Sequence, residues 1–258
     1  MTKLTATNLS ASLGRRKILD SVSVNFGAGE LVGLIGPNGA GKTSLLKCLL
    51  GLMKADSGVI SLDGQPLTTW SRSEVARRLG YLPQGAPCHW PMTAKRIIEL
   101  GWLPNIASTT KSDCLMKNSV NEAMEQTGTT YLRSRIVTSL SGGERTLVMI
   151  ARCLAGPAPL LLADEPVTGL DPRHQAEIMQ TLQTKATGLG GVVAVVHDLN
   201  LAARFCSRLV LMDRGRIVTI GTPNQVLAPE QLTKVYKIDV ALQSVDGQKV
   251  IVYQGPQN

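Results

Sequence analysis

Apolar and polar positions change period several times along the chain, and each change marks an element. Near the N-terminus Val22, Val24 and Phe26 alternate with Ser21, Ser23 and Asn25, the period of a strand covered on one face, so antiparallel sheet is predicted there. Leu31-Val32-Gly33-Leu34-Ile35 is an unbroken apolar run, and residues 45–50 read as helix. Residues 58–62 with Asp63-Gly64 form a further hairpin piece. Ser71 and Glu74 have the spacing of a capping box, which opens a helix expected to run through Leu79; an extended run, Tyr81-Leu82-Pro83, ends at Gln84. From Gly85 to about Leu140 strand patterns vanish. Thr93 caps a helix through Leu100, and Leu115, Met116, Val120, Ala123 and Met124 recur at helical spacing until Gly128, a stripe expected to pack inward. Trp90, Pro91, Met92 and Trp102 read equally as packing or as a partner-binding surface. Strand and helix then alternate. Leu147, Ile150, Ala151 and Leu154 lie on one helix face before Gly156-Pro157, residues 160–163, 191–196 and 209–212 are buried strands, and Asp171-Pro172 opens a helix. Val245-Asp246-Gly247-Gln248 joins two alternating runs as a two-residue hairpin. The fold class is α/β with a mainly parallel core sheet, an N-terminal antiparallel β part and a helical insertion.

Chemistry gathers where these elements meet. Gly36-Pro37-Asn38-Gly39-Ala40-Gly41-Lys42-Thr43 follows an apolar strand and precedes a helix. Its glycines let backbone N–H groups turn inward beside a helix N-terminus, Lys42 adds a charge for the β- and γ-phosphates, and the Thr43 hydroxyl suits a Mg²⁺ bridging them. The segment resembles the phosphate loop of P-loop NTPases, so the chain is expected to bind a nucleoside triphosphate. The strand at 160–163 ends in Asp164-Glu165. Beside a phosphate loop, Asp164 is placed to hold the Mg²⁺ shell and Glu165 to orient and deprotonate the attacking water. Leu140-Ser141-Gly142-Gly143-Glu144 precedes an amphipathic helix and is a second anion-binding end, which a chain with one complete cradle can use across a two-fold axis.

Composition narrows the class. Lysine and arginine number 27 against 19 acidic residues, a net charge of +8 over 258 residues, and the length favours one catalytic domain. The clusters Arg15-Arg16-Lys17, Arg77-Arg78 and Lys95-Arg96 are short, and aromatics make up 3% of residues, which disfavours a base-stacking nucleic-acid platform. The clusters read as solvated surface, and no nucleic-acid partner is expected. Cys48, Cys88, Cys114, Cys153 and Cys206 include no CxxC pair and fit reduced, mostly buried thiols of a cytosolic protein. Met1-Thr2-Lys3-Leu4-Thr5 lacks the apolar core of a signal peptide and no run reaches about 18 apolar residues, so the chain is expected to be soluble and to cross no membrane itself.

With its motifs in this order the chain resembles the nucleotide-binding subunit of an ATP-binding cassette (ABC) transporter, over residues 4–222. Residues 36–43 are similar to the Walker A loop, Gln84 to the Q-loop glutamine, residues 140–144 to the signature, residues 160–165 to Walker B, Gly169-Leu170-Asp171 to the D-loop and His197 to the switch histidine. The resemblance implies an ATPase using ATP and Mg²⁺. Gln84 senses the metal and the attacking water and relays nucleotide state to the helical insertion. Ser141, Gly142 and Gly143 form the segment that meets the γ-phosphate held by the opposite subunit, Asp171 links the two sites, and His197 contacts the γ-phosphate and holds Glu165 in line. It implies a homodimer driving two integral membrane permease subunits docked near residues 85–103, fed indirectly by a periplasmic or surface substrate-binding protein, at the cytoplasmic face of the inner (plasma) membrane. The expected division of the single domain is 1–84 with 141–222 as catalytic core, 85–140 as helical part and 223–258 as a short extension. Leu13 falls where many members stack adenine on an aromatic, and Leu13→Tyr is expected to tighten ATP binding. The run from His197-Asp198-Leu199-Asn200 to Gly221-Thr222-Pro223, with Pro229-Glu230-Gln231-Leu232, resembles bacterial importers of iron chelates, haem and cobalamin. A soluble ABC ATPase serving as an assembly or scaffold factor, as in iron–sulfur assembly, is the other reading, as is an importer of another cargo.

Overall fold

The computed structural model describes residues 2–85, 88–105, 110–188, 190–245 and 248–256. Strands β1 (Leu4–Leu13) and β2 (Arg16–Phe26) pair antiparallel, and the alternation that predicted them sorts their side chains: Val22, Val24 and Phe26 are buried, Ser21, Ser23 and Asn25 exposed. β3 (Leu31–Ile35) is buried at every position, as a strand covered on both faces must be. It runs into the phosphate loop and helix α1 (Lys42–Leu49). β4 (Ser57–Leu62) returns antiparallel to β1 and reaches β5 (Gln65–Pro66) through Asp63 and Gly64, both at positive φ, the backbone that a two-residue hairpin turn needs. The first sheet has the order β2-β1-β4-β5.

Helix α2 (Arg72–Arg78) begins with the predicted capping box, Ser71 Oγ accepting from Glu74 N and Glu74 accepting from Ser71 N. It stops one residue short of the expected end. Leu79 is already extended, pairs with Leu160 and is buried, so a place in the parallel ladder prevails over one more helical residue. β6 (Leu79–Leu82) follows, then α3 (Ala94–Glu99) with Thr93 as N-cap, α4 (Thr110–Gln126) and α5 (Gly142–Ala155). In α4 Val120, Ala123 and Met124 are buried and Met116 packs against them, but Leu115 is 58% exposed, correcting the expected stripe. Leu115 lies five positions before Val120, about 140° round the helix, whereas Met116 at four positions falls on the inward face. Trp102 belongs to the core and Trp90 is exposed.

β7 (Leu160–Ala163), α6 (Pro172–Thr187), β8 (Gly191–Val195) and β9 (Arg208–Asp213) form where expected, β8 ending one residue before Val196, and α7 (Leu199–Phe205) and β10 (Arg216–Gly221) are added to them. The central sheet has the order β10-β9-β3-β8-β7-β6, parallel throughout except for β9 with β10. Two short helices, α8 (Pro223–Val226) and α9 (Pro229–Tyr236), lead to the hairpin β11 (Ile238–Val245) and β12 (Gln248–Pro256). Val245 pairs with Gln248, as a two-residue connection requires, while the turn residues Asp246 and Gly247 lie outside the described residues. One apolar core lies between the central sheet and the helices α3 to α7, the other between it and the antiparallel sheet.

The parallel ladder sets the site. Leu34 is level with Val195, Ala194 with Ala163, and Ala163 with Leu82. The carboxyl ends of β3, β8, β7 and β6 therefore finish along one edge, the edge at which open α/β sheets place ligands. Gly36, His197, Asp164 and Gln84 each follow one of those ends.

Candidate active site

The phosphate loop is a backbone shape that side chains would spoil. Gly36 has φ +143°, and a Cβ there would stand 2.1 Å from Met212 O; at Gly41, φ +99°, it would stand 2.8 Å from Ile18 O. Lys42 folds back across the loop, its Nζ donating to Gly36 O at 2.7 Å and to Pro37 O at 2.9 Å. It is 6% exposed. Burial pushes its pKa below the usual lysine value, while the charges of Glu165 and Asp164 pull it up. An ammonium folded onto a glycine-rich loop at the N-terminus of α1 is an arrangement that suits an anion.

A cavity of about 750 Å³ opens over this loop. It is lined by Asn38, Gly39, Ala40, Gly41, Lys42, Thr43 and Ser44, together with Gln84, Glu165 and His197. Gly36 and Pro37 frame the loop beneath. Glu165 accepts from Thr168 Oγ1 at 3.1 Å, lies 2.6 Å from His197 Nε2, and shares the cavity lining with Gln84. Burial would raise its pKa, but hydrogen bonding and charge from His197, then the bonds from Thr168 and Gln84, hold it below the usual glutamate value. Glu165 is therefore an ionised carboxylate lining the cavity over the loop. Asp198 caps α7 through Asn200 N at 2.7 Å and Leu201 N at 3.1 Å, which fixes the turn directly after His197.

Asp164 is 1% exposed. Its Oδ1 accepts from Thr43 Oγ1 at 3.0 Å and its buried Oδ2 has no hydrogen-bond partner among the described residues. Burial raises its pKa, against the bond from Thr43. An orphaned carboxylate oxygen beside a hydroxyl is a donor set that fits a hard divalent cation. Among the described residues no group of three His, Cys, Asp or Glu side chains gathers to hold a metal, so a cation here would need further oxygen donors such as phosphates.

The other predicted residues lie apart from the cavity lining. Ser141 is the N-cap of α5, and its hydroxyl accepts from Glu144 N at 3.2 Å while Glu144 accepts from Ser141 N at 2.9 Å. Gly142 faces open space, and Gly143 stands where a Cβ would approach Leu170 at 3.7 Å. Asp171 caps α6, accepting from His174 N at 3.0 Å and lying 2.7 Å from His174 Nδ1. The exposure of Ser141, Gly142 and Asp171 at two helix starts leaves them available to a second molecule. Leu13 is 72% exposed and is not among the residues lining the cavity.

Sequence reasoning missed one side of the cavity. Arg16, Lys17 and Ile18 line it with Asp213, Arg214 and Gly215, so two members of a basic cluster read as solvated surface face the ligand space. The signal was adjacency: β2 and the β9–β10 turn are stitched to the loop by Gly215 N donating to Ala40 O at 3.0 Å and Asp20 N donating to Gly215 O at 2.9 Å. Tyr236 was also missed as a site neighbour. Burial raises its phenol well above the usual tyrosine value, and the Gly36 backbone amide opposes that rise.

No helix among the described residues is long and apolar enough to cross a membrane. The chain is 39% identical over 246 residues to the hemin import ATP-binding protein HmuV of Pseudomonas fluorescens, covering 93% of this chain and 95% of that protein. It is 38% identical over 241 residues to the cobalamin import ATP-binding protein BtuD of Halobacterium salinarum, covering 93% of this chain and 60% of that one. A dimeric post-hydrolysis structure of an ATP-binding cassette bound to ADP and Pi superposes with TM-score 0.75 at 25% identity, over 85% of this chain and 98% of that one. An inward-facing structure of a metal-chelate type ABC transporter has the same fold, with TM-score 0.80 at 22% identity over 99% of this chain and 98% of that one. The family model described as ABC transporter matches residues 19–168. The glycine-rich loop closed by Lys42, the carboxylates at the end of β7 with His197 against Glu165, and these likenesses converge: the chain belongs to the ABC transporter family.

Proposed function

We propose that this chain is the ATP-hydrolysing subunit of an importer, driving uptake of a metal chelate such as haem, iron–siderophore or cobalamin through separate membrane subunits. The observation that carries the chemistry is the ionised Glu165, gripped by His197 and Thr168 beside Gln84 over the phosphate loop. Residues 36–43 and Lys42 bind the phosphates. Glu165 takes a proton from water as the water oxygen attacks the γ-phosphorus, and the bond to the β-phosphate oxygen breaks to leave ADP and phosphate. His197 holds the carboxylate in line and Gln84 reports the state of the cavity. Thr43, Asp164 and Gln84 would hold Mg²⁺, which when bound neutralises phosphate charge.

Ser141, Gly142 and Asp171 are exposed and Gly143 is half-buried at the starts of α5 and α6, which supports a homodimer in which each copy completes the other's site. The partners on this reading are two permease subunits, with a periplasmic or surface substrate-binding protein acting through them, and the chain sits at the cytoplasmic face of the inner membrane. The exposed Trp90 and Leu103, on the stretch between β6 and α4, support docking there, although Ala86 and Pro87 of the expected contact lie outside the described residues. The names of the HmuV and BtuD relatives support the cargo class. The test is mild-detergent purification of the tagged chain from its native cells with mass spectrometry of what remains bound. Recovery of a multi-span membrane protein is expected; recovery of soluble assembly proteins alone would overturn the importer reading and leave the ATPase chemistry standing.

A further inference from the structure

The cavity has two ends, and only one is used by the chemistry above. In the central sheet β9 and β7 lie on opposite sides of β3, so the turn after β9, residues 213–215, and Glu165 after β7 flank the phosphate loop from opposite sides. A triphosphate whose γ end lies at Glu165 must lay its nucleoside over residues 16–18 and 213–215. No Phe, Tyr or Trp lines the cavity among the described residues, and the His197 imidazole lies at the Glu165 end, 2.6 Å from that carboxylate. Lys17 is engaged by Asp20, which also binds Arg216. Arg16 and Arg214 carry no ion pair or side-chain hydrogen bond among the described residues, and each offers a flat, delocalised guanidinium. Of the two, Arg16 shares a strand face with Ile18, two residues on, which also lines the cavity. It pairs across the hairpin with Leu13, whose side chain is outside the lining.

We propose that the guanidinium of Arg16 is the stacking platform for the nucleobase, with Ile18 beside it as apolar floor. This rests on the nucleotide reading of the site. A guanidinium plane stacks on any purine and carries no pattern that reads one base edge, so ATP and GTP bind with affinities within a few-fold of each other.

The test compares dissociation constants of the full chain for ATP, GTP and inorganic tripolyphosphate. Arg16→Ala weakens both nucleotides about tenfold, the size of one lost base stack, and leaves tripolyphosphate within about twofold. Arg16→Trp restores ATP affinity, and Arg16→Lys, which keeps the charge without the plane, does not. Equal losses for ATP and tripolyphosphate would make Arg16 a phosphate contact and overturn the proposal, as would unchanged ATP binding. Arg16 is exposed at a hairpin end, so these variants are expected to fold. A wild-type chain binding neither ATP nor tripolyphosphate would instead refute the nucleotide reading beneath it.

Discussion

Replacing Asp164 by Asn separates what this carboxylate does for catalysis from what it does to the fold. At 1% exposure, with Oδ1 bonded by Thr43 and Oδ2 unpartnered among the described residues, it is a buried charge short of ligands. Burial is the largest influence on its pKa and raises it above 3.8; Glu165 adds to the rise, while the Thr43 bond, Lys47 and Lys42 oppose it. A carboxyl group with a raised folded pKa gives stability that is fully present below its unfolded pKa and is lost as pH rises through its folded pKa, so at neutral pH the ionised form works against folding. An unsatisfied buried polar group costs about 1–3 kcal/mol. Asn retains the acceptor for Thr43 and removes the charge, but leaves an amide N–H without a partner. The expected net is a gain of up to about 1 kcal/mol in the nucleotide-free protein, a rise in melting temperature of about 2–4 °C or less. The assay is thermal unfolding of wild type and Asp164→Asn at neutral and mildly acidic pH, with and without Mg²⁺. The gap between them should narrow on acidification, Mg²⁺ should stabilise only the wild type, and ATP hydrolysis by the variant should fall at least about 100-fold. A variant destabilised by more than about 2 kcal/mol at neutral pH, or a gap that widens as pH falls, would refute the reasoning.

Three further outcomes are expected. Glu165→Gln should keep ATP affinity, lose turnover by about 10²–10⁴-fold and accumulate an ATP-bound dimer, read by phosphate release and size-exclusion chromatography; near-normal turnover would assign the base elsewhere. Gly142→Glu should leave the monomer at least as stable, because a Cβ there meets nothing within 4 Å and an acidic side chain suits the first turn of α5, yet should block ATP-driven dimerisation by facing the partner's phosphates. Gly36→Ala should cost about 3 kcal/mol or more and cut ATP affinity, because its Cβ would sit 2.1 Å from Met212 O at a φ of +143°; a variant with wild-type melting temperature would show that the loop yields easily.

Residues whose identity is dictated by local chemistry were legible. The phosphate loop, the Asp164-Glu165 strand end and the alternation in β2 follow from rules acting within a few residues. Contacts between distant segments were not, because nothing local announces them. Arg16 reads as any surface arginine until β2 is packed on the loop after β3, and Tyr236 as any helix-end aromatic until the fold buries its phenol where the Gly36 amide acts on it. Leu115 failed for a finer reason, since one position shifts a helical side chain by about 100°. Ser141 shows a signal present and unread: its spacing to Glu144 repeats that of Ser71 to Glu74, and both pairs fold as capping boxes. The end of α5 expected to bind an anion is therefore a self-capped helix start.

Glu165 stands in left-handed backbone, at φ +54°, a conformation that disfavours side chains with a Cβ by about 1–2 kcal/mol. The consequence concerns how such a protein drifts under selection. A mutant library sorted only for the amount of folded protein in cells should enrich Glu165→Gly and Glu165→Asn, which tolerate that backbone, alongside Asp164→Asn. The same library sorted for growth on a scarce nutrient should purge all three. Abundance and fitness would then rank variants in opposite orders at two adjacent positions, and that inversion would mark the reaction centre without any ligand in view.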